Sequence, residues 1–220
     1  MVARPGPKRA LSEDEVLNAA LALLDADGPD GASIRKIAGT LGVSPNAVYT
    51  YFSDKSSIEQ ALVERLLGEL NRDAVSRADW REDLETLALD LRRRLTAHPG
   101  AVPLLLGGPM NGPEALQLGE RLLEVLARAG LPEQAAARAS YLIMIYVLGA
   151  VALEVADVPQ AGALEPEASR IAARRAAMTQ VPSSMFPRTA AAVDVMAQWV
   201  GTEQYVWGLH RVLDGLAASR

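Results

Sequence analysis

Apolar residues recur along this chain at intervals of three and four and hardly ever alternate, so the pattern predicts helices throughout. The first helix follows Ser12, whose hydroxyl is placed to cap it, with Glu15 three residues on to complete a capping box. Its stripe is Val16, Ala19, Ala20, Leu23 and Leu24, and it stops at Asp27-Gly28-Pro29, where glycine ends a helix easily and proline blocks its continuation. A short second helix opens after Ser33, with Ile34, Ile37, Ala38 and Leu41 facing inward. Gly42 makes the next turn, because glycine adopts left-handed angles at little steric cost, and Val43 plugs that turn from below. Ser44 caps a third helix whose first position is Pro45, where the missing N–H does no harm. Val48 and Phe52 point back to the core, which leaves Asn46, Ala47, Tyr49, Thr50 and Tyr51 on or near the outer surface.

Beyond this front segment the spacing predicts a long fourth helix from Asp54 to about Arg77, roughly 35 Å at 1.5 Å per residue, with Ile58, Leu62, Leu66 and Leu70 on one side. Further helices are predicted over Trp80 to Ala97, Val102 to Leu106, Pro113 to Ala129 and Pro132 to Val155. Residues 157–187 read as a proline-broken loop holding a helix at Ala168 to Thr179, and a last helix is expected from about Thr189 to Ala217. The expected organisation is a flexible basic arm over 1–10, a small helical domain over 11–56 and a larger helical domain over 57–220.

Composition agrees with an all-α fold: the apolar stock is mainly Ala and Leu, strong helix formers, and aromatics make up 5% of the chain. There is no cysteine, which excludes a disulfide framework, a thiolate nucleophile and cysteine-ligated zinc. The two histidines, His98 and His210, lie too far apart to suggest a metal cluster, and neither has an evident carboxylate partner in the sequence. No nucleophile–base pair or phosphate loop is visible, so no enzyme and no cofactor is expected. The basic N-terminus lacks an apolar segment after it, and the longest apolar stretch, Tyr141 to Val155, is interrupted by Gly149 and Glu154. A cytoplasmic protein with no membrane partner is expected.

Net charge is −5, yet the stretch 31–57 carries Arg35, Lys36 and Lys55 against Asp54 alone. A local basic face on an acidic protein, over two short helices joined by a glycine turn, is how a helix-turn-helix presents side chains to the DNA major groove. The run from Ser33 to Lys55 resembles the signature of the TetR family of bacterial regulators. The shared features are Ile37-Ala38, then Leu41-Gly42-Val43-Ser44, then Tyr49-Thr50-Tyr51-Phe52, then Asp54-Lys55. Trp80, the segment Tyr141 to Glu154 with its central Gly149, and Tyr205-Val206-Trp207-Gly208-Leu209 followed by Gly215-Leu216 resemble the tetracycline-repressor branch.

The resemblance implies a homodimer on a palindromic double-stranded operator, with the third helix in the major groove. Arg35 matches a base-contacting position and suits guanine, while Pro45, Asn46 and Ala47 match base-reading positions, of which Asn46 suits adenine. Tyr49 and Lys55 match phosphate contacts. Thr50 and Tyr51 fall at the sugar-phosphate backbone, and Ser33 and Ser44 reach it through helix N-terminal amides. On the ligand side the resemblance places Asn71, Leu87, Leu91, Leu105 and Ile145 at pocket positions, with Arg121 and Tyr141 as further polar handles. Leu105 stands where that branch has a magnesium-coordinating histidine, and it cannot ligate a hard cation. The expected effector is therefore a mainly apolar or amphipathic small molecule without metal.

Arg92-Arg93-Arg94 reads as a solvated helix face, and His98 as a helix C-terminal residue facing the dipole. Tyr141 to Val155 is apolar nearly all round, and Val193, Met196, Val200, Val206, Leu209, Val212, Leu213 and Leu216 recur at helical spacing. Two such helices per subunit form a four-helix dimer seam. The function expected is a ligand-responsive repressor with the fourth helix as lever; the alternative is a regulator of the same fold that is constitutive or controlled by a protein partner.

Overall fold

The computed structural model describes residues 11–28, 30–70, 79–108, 110–156 and 162–218. They form α1 (Glu13–Asp27), α2 (Ile34–Thr40), α3 (Pro45–Tyr49), α4 (Lys55–Gly68), α5 (Trp80–Ala97), α6 (Val102–Gly107), α7 (Pro113–Arg128), α8 (Glu133–Ala156), α9 (Glu167–Thr179), α10 (Pro187–Ala191), α11 (Val193–Ala197) and α12 (Thr202–Ala217). Short 3-10 turns, Pro99–Ala101 and Gln198–Val200, precede α6 and α12, and no strand occurs among the described residues.

Local chemistry sets the early boundaries. The Ser12 hydroxyl accepts from the Glu15 amide at 3.2 Å and Glu15 accepts in return from the Ser12 amide at 3.0 Å, the reciprocal capping box that opens α1. Gly28, at φ +74°, closes it with its N–H on the Leu24 carbonyl. Asp54 caps α4 through the Ser57 amide at 2.8 Å, and that bond holds its carboxyl below the usual carboxylate range. One continuous apolar core runs from Val16 of α1 to Leu213 of α12. Within it α4 packs on α1 and also on α6 and α7, while α8 packs on α5, α6, α7 and α12.

Two helices differ from their expected lengths. The fourth stops at Gly68, a poor helix former, and Leu70 turns inward to 4% exposure instead of extending the rod; the stretch expected to carry it to Arg77 lies mostly outside the described residues. The last helix is divided into α10, α11, a 3-10 turn and α12. Gly201 is extended there (φ −112°, ψ 162°), and its Cα lies so near the Gln198 carbonyl and Ile171 that an added Cβ would sit 3.1 and 3.2 Å from them. At 24 residues α8 outruns the apolar stretch read from the sequence, and by length and composition it could cross a membrane; here it is packed on four neighbouring helices.

Arg92 departs furthest from expectation. It is buried, not part of a solvated face, whereas its neighbour Arg93 is exposed. Its guanidinium grips Glu154 of α8 at 2.8 and 2.9 Å, reaches Glu167 of α9 at 3.0 Å and donates to the Thr202 hydroxyl at 2.7 Å. Arg170 adds a second cation to Glu154 at 2.8 Å. Burial works against the Arg92 charge, but the Glu154 and Glu167 carboxylates more than offset it. Burial likewise opposes the Glu167 charge, but bonds from Thr202 and Arg92 hold its carboxyl below the usual range. Tyr205 lies under the Arg92 guanidinium at 5.4 Å and donates to the Ala88 carbonyl at 2.8 Å. Glu154→Ala would take the carboxylate from Arg170 and leave Arg92 with that of Glu167 alone, so we expect a loss of about 3–5 kcal/mol of stability in urea unfolding. A loss below about 1 kcal/mol would contradict mutual compensation within the cluster.

Candidate DNA-reading face and effector cleft

The front unit is built around a fixed α2–α3 corner. Ser33 accepts from the Lys36 amide at 3.3 Å to start α2, and the Lys36 ammonium pairs with Asp27 of α1 at 2.8 Å. Gly42 turns the chain at φ +66°, and the Val43 amide donates to the Ala38 carbonyl at 3.0 Å. Ser44 has the extended backbone of an N-cap but, unlike Ser33, makes no side-chain capping bond. Val48 and Phe52, both buried, fix α3 from behind.

Opposite those anchors, Pro45 and Asn46 are exposed and Ala47 is half-buried. Tyr49 is 52% exposed. Arg35 is exposed at the start of α2 with no partner among the described residues. The remaining candidates are partly engaged within the unit: the Thr50 hydroxyl donates to the Asn46 carbonyl at 3.2 Å, Tyr51 donates to the Leu11 carbonyl, and Lys55 pairs with Glu59 at 3.2 Å. Arg35, Asn46 and Tyr49 are thus the side chains most available to an outside partner, and Lys36 is partly neutralised.

Behind this unit, α6, α7 and α8 enclose an open cleft of about 680 Å³. Leu105 (3% exposed), Leu118, Leu122, Met144 and Leu148 line it, with Tyr141 and Ile145 of α8 and the Ser140 hydroxyl. Among the described residues its lining holds no carboxylate and no imidazole, so that donor set does not fit a magnesium-bound effector. Of the other ligand-side candidates, Leu87, Leu91 and Arg121 fall elsewhere. Leu87 and Leu91 are core residues that do not line the cleft, since an inward leucine packs wherever a neighbouring helix covers it. Arg121 lines a separate acidic cleft between α4 and α7 with Glu114, Glu120 and Glu124, and Asn71 lies outside the described residues. A third cleft, walled by Tyr146, Trp199 and Tyr205 beside α12, was not legible in the sequence because it joins segments far apart in the chain.

Both histidines do have carboxylate partners in space: His98 Nδ1 lies 2.8 Å from Asp25 and His210 Nε2 lies 2.7 Å from Glu85. Neither pair lines the cleft. Along α8, Tyr141 (70% exposed), Leu142, Ile145 and Leu153 (75%) form an open apolar face, and Trp207 of α12 is also exposed.

Residues 16–62 match the family described as bacterial regulatory proteins, tetR family, and residues 74–220 match the tetracyclin repressor-like C-terminal domain. The chain is 33% identical over 147 residues, 67% of its length, to an HTH-type transcriptional regulator of Saccharopolyspora erythraea, of which it spans 62%. It is 32% identical over 212 residues to the class A tetracycline repressor from transposon 1721 of Escherichia coli, covering 96% of this chain and 92% of that one. A crystal structure of a possible TetR family transcriptional regulator from Streptomyces coelicolor A3(2) superposes with a TM-score of 0.79 at 30% identity, over 95% of this chain and all of that one. On these matches the chain belongs to the TetR family of transcriptional regulators.

Proposed function

We propose that this regulator is a cytoplasmic repressor that binds a palindromic operator as a homodimer and leaves it when an apolar or amphipathic small molecule fills the α6–α8 cleft. The observation that carries the DNA half is the outward face of α3, where Asn46 and Tyr49 stand opposite the buried Val48 and Phe52, with Arg35 alongside on α2. In this reading Arg35 and Asn46 hydrogen-bond base edges, with Pro45 and Ala47 supplying shape and apolar contact. Tyr49 and Lys55 hold phosphates, Thr50 and Tyr51 lie against the sugar-phosphate backbone, and the Ser33 and Ser44 helix starts offer amides to it. The chain divides functionally near residue 56.

The effector half rests on the cleft itself: about 680 Å³, leucine- and methionine-rich, with Ser140 and Tyr141 as its hydroxyls. Leu105, Tyr141 and Ile145 are its contacts from the expected set. The dimer half rests on the α8 face, where Tyr141, Leu142, Ile145 and Leu153 leave more large apolar surface open than a monomeric helix keeps in water. Facing α8 and α12 of a second copy would cover it, and two-fold symmetry would then match two operator half-sites.

Arg35→Ala should lower affinity for the best operator by about 1–3 kcal/mol and relax selectivity at one base position. Tyr49→Phe should instead lower affinity similarly on all sequences, because a phosphate carries no sequence information. Titration of operator variants by fluorescence anisotropy checks both, and an unchanged operator affinity of the Arg35 variant removes it from base reading. Leu153→Glu should convert the dimer to monomer in sedimentation and abolish operator binding with helicity retained; an undisturbed dimer would move the seam off this face.

A further inference from the structure

We propose that Asp25 and His98 form a latch through which the effector-binding body sets the orientation of the DNA-reading unit, with both acting as positioning residues. The proposal rests on the reading of α1–α3 as the DNA-reading unit, and it assigns the control of that unit to α1 rather than to α4 alone.

The contact has two points on one carboxylate. Asp25, in the last turn of α1, places Oδ2 2.8 Å from His98 Nδ1, and its Oδ1 accepts the Gly100 N–H at 3.2 Å. A carboxylate held at both oxygens by donors on one short segment is fixed in direction as well as in position. The approach is backbone against backbone: a Cβ added at Gly100 would fall 2.1 Å from the Leu24 carbonyl oxygen, so no larger residue fits without parting the two segments. His98 is itself anchored as the C-cap of α5, with its N–H shared between the Arg94 and Leu95 carbonyls.

What makes this a route and not merely a contact is the element on the far side. The 3-10 turn Pro99–Ala101 runs without a break into α6, and α6 carries Leu105, a wall of the effector cleft. From Leu105 to Gly100 the connection is five peptide links of continuous helical turn; from Gly100 and His98 to α1 it is two hydrogen bonds. Other polar ties from the front part of the chain leave from α4: Glu64 accepts the Glu114 amide at 2.7 Å at the start of α7, and Glu69 at its C-terminal end accepts from Arg94 of α5 at 3.1 Å. An effector that moves the Leu105 wall therefore displaces His98 and Gly100 with it. α1 follows through Asp25, taking along the α2–α3 corner that shares its core.

The chain contains no cysteine, so two introduced ones report only the intended pair. Exposed Asn18 of α1 and exposed Ala127 of α7 are changed to cysteine and spin-labelled, and the labelled chain is diluted in unlabelled protein so that distances within one chain dominate pulsed EPR. We expect a single narrow distance in the parent. Asp25→Ala and His98→Ala should each broaden it and weaken operator binding by about fivefold or more, with the double variant no worse than either single one. His98→Asn, whose amide nitrogen can donate from close to the Nδ1 position, should restore both the narrow distance and the affinity. Alanine variants that keep the parent distribution while folded by circular dichroism would overturn the latch, as would failure of His98→Asn to rescue a folded protein. If the parent binds no DNA at all, the DNA-reading assignment fails, and the distance distributions still decide whether Asp25 and His98 hold α1.

Discussion

Everything outside the front unit reaches it through the burial of α4 and the docking of α1. α4 buries Ile58, Leu62, Val63, Leu66 and Leu67 against α1 on one side and α6 and α7 on the other. A unit of three short helices has too little apolar surface to offset its own ordering entropy with much to spare. Its stability is drawn from the same core that walls the cleft between α6, α7 and α8. In the proposed switch, rigidity and signal are the same physical property: α1 and α4 are packed on the body, so a change there would become a change in where α3 points.

The body solves a second problem, how to hold an apolar α8 and a largely exposed α9 in fixed relation. α9 contributes no buried residue among those described, so the hydrophobic effect alone gives it little purchase. Arg92, Glu154, Glu167, Arg170 and Thr202 supply that purchase by joining α5, α8, α9 and α12 at one point. Buried charge is a poor source of net stability but a good source of uniqueness, since a shifted packing would leave a charge without its partner. That fixed registry holds the open face of α8 in one shape, as the proposed dimer seam requires.

Much of the front unit was legible in the sequence because its rules are local. The capping box at Ser12, the glycine turn at Gly42 and the inward Val48 and Phe52 each depend on neighbours within four residues. The body was less legible because its determinants are distant. Arg92 sits in a run of three arginines that reads as solvated, and its carboxylates lie 62 and 75 residues away. Leu87 and Leu105 look alike in sequence, yet of the two it is Leu105 that lines the cleft between α6, α7 and α8. The break at Gly201 was masked because apolar spacing of three and four continues across it, and the carboxylate partners of both histidines come from other helices.

The most direct test of the account is selection of random double-stranded DNA by the purified full-length protein, followed by sequencing of the retained pool. One two-fold symmetric site should be enriched, with half-sites centred about one helical turn or a multiple of it apart. Retention without sequence enrichment, or enrichment of a single asymmetric site bound by one chain, would contradict it.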